Sequence, residues 1–146
     1  MKYIVLFLIG GLIYGAVEVA YKGDCTHLSM FITGGLSFLA IGMMSPRIPL
    51  LLRMLLGSVL ITVLEFLCGV IVNIWLGLSV WDYSDMPLNL MGQICLLFTA
   101  YWFVLTFVGI VLDRFLKRKL FGETLRINGE LPAQSVPRLR PMRSQP

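Results

Sequence analysis

Two carboxylates, Glu18 and Glu65, stand inside long apolar stretches of the chain. If those stretches lie in a bilayer, a charge at mid-depth costs at least about 2.5–3.5 kcal/mol, so each needs a reason. Helical spacing gives each a face. Gly11, Gly15, Glu18 and Lys22 form one stripe, and Ser58, Thr62, Glu65, Gly69 and Asn73 form a comparable one. Both set small residues below a carboxylate, and Gly11-x-x-x-Gly15 admits the close approach of a neighbouring backbone. For Glu18 two readings stay open: a carboxylate at the interface paired with Lys22, or a group facing the bundle. Glu65 has no basic neighbour in its own helix. It reads as a bundle-interior group, either hydrogen-bonded structurally or acting on a substrate or proton.

A second concentration of polar groups follows Trp81, where Asp82, Ser84, Asp85, Asn89 and Gln93 crowd together. Read as the start of a helix, Asn89 and Gln93 lie one turn apart and present amides on one face. Irregular backbone at membrane depth survives only where protein buries it or water reaches it, so this external loop reads as re-entrant. Trp75, Trp81 and Tyr83 suit an interfacial belt. Glu18, Glu65, Asn73, Asp82, Asn89 and Gln93 are thus the candidate ligand-binding residues, an acidic and polar pocket on the external side. His27 is the only histidine, and with scattered carboxylates it reads as a satisfied interfacial residue. Cys25, Cys68 and Cys95 form no C-x-x-C pair and read as free thiols. No Ser-His-Asp spacing or H-E-x-x-H occurs, so no catalytic residue, metal or cofactor is expected, and an intramembrane enzyme is the least supported class.

The elements that must position these groups follow from composition. The 146 residues are 58% apolar and 14% charged, with a mean hydropathy of +0.85. A soluble domain carries about a quarter charged residues, so an ordinary water-soluble fold is excluded. Four apolar segments, at about 3–21, 28–44, 50–76 and 88–112, predict an all-α membrane protein with four transmembrane helices. The first lacks a small-x-small cleavage site and reads as a retained helix, not a signal peptide. Only Lys22 among the 12 basic residues falls in the loops opposite the termini. The positive-inside rule then places both termini in the cytoplasm, in the cytoplasmic membrane, and disfavours dual topology.

Residues 1–113 form the transmembrane domain and 114–146 a basic cytoplasmic tail, mostly disordered from Asn128 onward. Residues 1–113 carry four basic and six acidic groups, and 114–146 carry eight and two. The basic pI of about 9.2 therefore belongs to the tail and gives no support to nucleic-acid binding. Arg114, Lys117, Arg118 and Lys119 are placed to attract anionic lipid headgroups. Val136, Pro137, Leu139 and Pro141 could form a docking peptide. Five of the six acids of the membrane part lie toward the external side, a cation-attracting vestibule.

The halves resemble each other: Glu18-x4-Gly23 and Ser29…Gly35 parallel Glu65-x3-Gly69 and Ser84…Gly92, as in a parallel two-hairpin repeat. The run from Val80 to Leu96, with Trp81-Asp82-Tyr83-Ser84, Pro87, Asn89 and Gly92-Gln93, resembles small bacterial membrane proteins of the CmpB-like type IV ABC-transporter permease family. Glu65-x3-Gly69-x3-Asn73 and the segment from Thr26 to Gly35 share that resemblance, which covers about residues 10–113. It implies membrane transport without naming a substrate or site residues. No G-x-x-x-x-G-K-[ST] phosphate loop occurs, so an ATP-driven role requires a separate subunit. The leading expectation is a permease-like transport component, alone, as a homo-oligomer or with a partner. The alternative is a membrane accessory protein that binds a partner without transporting.

Overall fold

A computed structural model describes residues 1–23 and 26–123, with the side chain of Lys22 left out. The elements are α1 (Lys2–Lys22), α2 (Leu28–Met43), α3 (Leu50–Gly69) continued by a π-helical segment (Val70–Trp75), the hairpin β1 (Asn89–Leu90) and β2 (Ile94–Cys95), and α4 (Leu96–Phe121). Gly23 and Gly122 close α1 and α4 in the left-handed conformation, the usual helix stop. The ring Nδ1 of His27 accepts the Ser29 amide at 3.2 Å and caps the N-terminus of α2. Thus the single histidine has a local structural task.

Two helix pairs associate by different means. Between α1 and α2, glycines accept aromatic rings from the facing helix: a Cβ at Gly34 would strike Tyr14, and one at Gly10 would strike Phe38. A Cβ at Gly35 would come within 2.6 Å of the Phe7 ring. The α3–α4 pair is instead held by polar groups. Ser58 Oγ donates to the Thr99 carbonyl at 2.6 Å, Thr62 bonds Thr99 at 3.1 Å, and Thr106 fills the notch left by Gly57. Helix α2 also packs on α3 and α4, and Ile41, Ile61, Trp102 and Ile110 form the shared core.

The polarity is inverted relative to a soluble domain. Arg53 and Glu65 are each 1% exposed, whereas Leu12, Leu51 and Val104 are 64%, 69% and 59% exposed. Charged groups inward and leucines outward is the arrangement a lipid solvent requires. Lys2–Tyr21, Leu50–Trp75 and Leu96–Phe121 are long and apolar enough to cross a membrane; Leu28–Met43 is a shorter apolar helix.

The fourth helix differs from its expected limits of 88–112. It begins at Leu96 because residues 88–95 form a hairpin, with Asn89 opposite Cys95 and Leu90 opposite Ile94. Leu88, Met91 and Gly92 all have positive φ, which no helix tolerates. Asn89 and Gln93 therefore do not share a helical face. At its other end α4 runs past Asp113 to Phe121, so the first residues assigned to the tail are helical. Lys117 turns inward to pair with Asp113 at 2.8 Å and donates to the Gly42 carbonyl at 2.7 Å. With 6% of its surface exposed, it is not available to lipid headgroups, unlike Arg118 and Lys119. At the same end Lys2 meets Glu123 at 2.6 Å, joining α1 to the end of α4. Asp24, Cys25, the stretch from Asn128 expected to be disordered and the docking peptide expected within it lie outside the described residues.

Candidate functional site

Glu65 sits on the α3 face that meets α4 and the loop. Trp102 Nε1 donates to one carboxylate oxygen at 2.8 Å, and the Tyr83 hydroxyl donates to the other at 3.2 Å. The stripe expected from helical spacing is realised contact by contact. Ser58 and Thr62 reach Thr99, Gly69 lies under Gln93 and Trp81, and Asn73 enters the loop. On α1, Glu18 is 7% exposed and accepts a hydrogen bond from the Thr26 hydroxyl.

The loop folds back onto α3 through a lock of amides. Asn73 donates to the Trp81 carbonyl at 3.0 Å and to Gln93 Oε1 at 2.7 Å, and its own oxygen accepts the Val80 amide at 2.7 Å. Trp81 is 5% exposed, and its indole N–H donates to the Gln93 carbonyl at 3.0 Å. It is the centre of the loop, not part of an interfacial belt. Farther out, Asn89 donates to the Ser84 and Met86 carbonyls at 3.1 and 2.8 Å and accepts the Gly92 amide at 3.1 Å. Asp82 accepts the Ser84 amide and hydroxyl at 2.8 and 2.6 Å.

The Ser84 hydroxyl and then its amide hold the Asp82 carboxyl below the usual carboxylate range. A depressed folded value means that the turn is stabilised above the unfolded pKa and loosened as pH falls through the folded one. The NMR shift of the Ser84 amide is therefore expected to titrate at lower pH than an exposed aspartate would produce. In Asp82→Asn, which keeps an acceptor oxygen, that titration is expected to vanish.

Between α1, α4 and the loop lies a groove of about 540 Å³. Its two helical walls carry the same spacing: Tyr14, Val17, Glu18 and Tyr21 on α1, and Phe98, Tyr101, Trp102 and Leu105 on α4. Tyr83 closes the loop side, with its ring stacked on Phe98 at 4.6 Å between centroids. Glu18 lies on the wall; Glu65 lies one layer behind, bonded to two wall residues, Tyr83 and Trp102.

A family model described as "Putative ABC-transporter type IV" matches residues 2–125. The chain belongs to that family. The match extends beyond residues 10–113 at both ends and includes the basic end of α4. Comparison with the curated proteins and with the solved structures finds no match.

For this type IV ABC-transporter family member, the six candidate residues divide into two groups. Glu18 and Glu65 belong to the groove and its backing. Asn73, Asp82, Asn89 and Gln93 bond to the loop itself and are not among the residues lining the groove. The cavity is aromatic where a polar one was expected. Tyr14, Tyr21, Phe98, Tyr101 and Trp102 were missed, although the i, i+3, i+4, i+7 spacing of each stripe was readable. Aromatic residues at that spacing are as common on a buried or lipid-facing side, so the pattern has no meaning until the two stripes face each other.

Proposed function

We propose that the protein is a permease-like transport component of the cytoplasmic membrane, with four spans, both termini inside and the groove toward the external side. The observation that carries this reading is the groove of about 540 Å³, with the Glu18 carboxylate on its wall and Glu65 bonded behind it. Concave sites of about 300–1,000 Å³ are the size that holds small molecules. Carboxylates at membrane depth are the groups that carry a proton or pair with a cation. The reading assigns binding and passage to the chain, and no bond-making chemistry. An ATPase, if the system uses one, is a separate subunit. Arg114, Arg118 and Lys119 remain the residues placed to meet anionic headgroups.

The accessory reading has its own support: four of the six expected site residues hold the loop in shape. The two readings separate in proteoliposomes. Wild-type protein, with or without a copurifying ATPase, is expected to pass a solute, and Glu65→Gln is expected to reduce the flux at least about tenfold while the fold persists. Loss of a charge that a buried site relies on costs this much or more. Absence of flux together with copurification of a partner at fixed ratio overturns transport in favour of the accessory role.

A further inference from the structure

The groove narrows inward into a second cavity of about 110 Å³, which shares Tyr14, Val17, Trp102 and Leu105 with it. Among the described residues, neither Glu18 nor Glu65 lines this extension, and no other charged side chain does. Its walls are aliphatic and aromatic, with one hydroxyl contributed by α2, that of Ser37.

Ser37 is 4% exposed, and its Oγ has no hydrogen-bond partner among the described residues. A hydroxyl on a membrane helix has a default partner, the carbonyl four residues back. Thr33, Thr99 and Thr106 all take it, donating to the carbonyls of Ser29, Cys95 and Trp102 at 2.9, 3.1 and 2.7 Å. Ser37 does not, and lines the cavity instead. A buried polar group left in this way calls for a partner from outside the chain.

Depth and the direction of the opening limit what that partner is. At about 1.5 Å per residue, Ser37 lies about 13 Å from the Leu28 end of α2, near the middle of a hydrocarbon core of about 30 Å. A phospholipid anchored at the surface presents only methylene groups there. Helices α1 and α4 touch little, and Ile13, Val17, Leu105 and Val108 on the two sides of the seam are exposed. The cavity therefore opens sideways, toward lipid. Water needs about two to four polar partners, and these walls offer few, the Trp102 N–H being committed to Glu65. An ion would be buried there without a counter-charge, at a cost that apolar contacts do not return.

We propose that this extension binds a neutral lipophilic molecule bearing a hydrogen-bonding oxygen, a carbonyl or a hydroxyl, that Ser37 recognises. The molecule enters from the bilayer through the α1–α4 seam. Its oxygen meets Ser37 Oγ, its body packs against the stacked Tyr14 and Trp102 rings, and any longer apolar part lies in the wider groove. A saturated hydrocarbon chain would fill the same space and leave the hydroxyl unanswered. The inference stands on the cavity and on Ser37, and requires no charge on the groove wall. It deepens the transport reading by giving the groove a ligand class, and rests on that reading for its purpose alone.

The test is equilibrium binding to the full-length protein in nanodiscs, with partition into empty discs divided out. Acetylnaphthalene is the carbonyl probe, naphthol the hydroxyl probe and ethylnaphthalene the hydrocarbon of similar size. At least one oxygenated probe is expected to bind about fivefold tighter than the hydrocarbon, as one internal hydrogen bond allows. Ser37→Ala is expected to remove that preference and leave ethylnaphthalene binding unchanged. Gly109 lines the cavity, where a Cβ would meet nothing nearer than Ile41 at 3.6 Å. Gly109→Leu is therefore expected to fill the space and to weaken all three probes at least about tenfold.

Preference for the ketone alone assigns a carbonyl ligand, and preference for naphthol alone a hydroxyl one. Equal affinity for the three probes, or a preference that survives Ser37→Ala, overturns the proposal, as does undiminished binding to folded Gly109→Leu. A crosslinked second copy that covers the seam and excludes the probes also overturns it. Binding that depends on Ser37 without any solute flux sinks the transport reading and leaves this one standing; flux without probe binding does the reverse.

Discussion

Leucine at position 69 is expected to release the loop from α3 and to destabilise the protein by about 3 kcal/mol. A Cβ at Gly69 would come within 2.5 Å of Gln93 Oε1 and 3.1 Å of the Trp81 ring. Neither neighbour can yield freely. Gln93 Oε1 accepts from Asn73 at 2.7 Å, and the Trp81 indole N–H donates to the Gln93 carbonyl at 3.0 Å. Overpacking of a well-filled site costs about 1–3 kcal/mol, and each lost internal hydrogen bond adds about 1 kcal/mol. Tyr83 follows Trp81 in the same loop, so its bond to Glu65 is expected to go as well. Faster proteolysis within residues 76–95 and a lower melting temperature in detergent are the readouts. Gly109→Ala is the control: a Cβ there meets only Ile41 at 3.6 Å, an ordinary contact, and is expected to change stability by less than about 0.5 kcal/mol. If both variants melt alike, close packing of the loop on Gly69 is wrong.

Removal of the Lys117 charge is expected to have a larger effect. Lys117 and Asp113 form a 2.8 Å ion pair one helical turn apart, with side chains 7% and 5% exposed. Lys117→Met leaves Asp113 buried without its ion-pair partner and takes the 2.7 Å donor from the Gly42 carbonyl. Breaking one side of a buried pair costs about 3–5 kcal/mol, whereas replacing both sides by apolar groups is often close to neutral. Lys117→Met combined with Asp113→Leu is therefore expected to recover most of the loss, apart from about 1 kcal/mol for the unsatisfied carbonyl. Unfolding in mixed micelles with increasing denaturing detergent measures both. If the single and double variants are equally destabilised, the pair is not the source of the effect.

These two sites show how much was readable beforehand. The stripe from Ser58 to Asn73 is a matter of helical phase, and every member of it does face α4 or the loop. The start of α4 was not readable from hydropathy, because Leu88, Leu90 and Met91 are as apolar as the helix that follows. Pro87, Asn89 and Gly92 were the contrary signal, being turn residues. Lys117 looked like one member of an exposed basic cluster. Its inward turn depends on Asp113 and on the carbonyl of Gly42 in another helix.

Composition and periodicity alone determined that the chain is helical and lipid-facing and that Glu18 and Glu65 lie on small-residue faces. Each of these is a property of one segment and its solvent, decided by rise, turn and hydropathy over a few residues. Tertiary structure decided that the amides lock a loop, that the lysine is buried, and that two aromatic stripes with identical spacing face each other across a groove. Those outcomes depend on which donors meet which acceptors between helices, a long-range matter that no local pattern encodes.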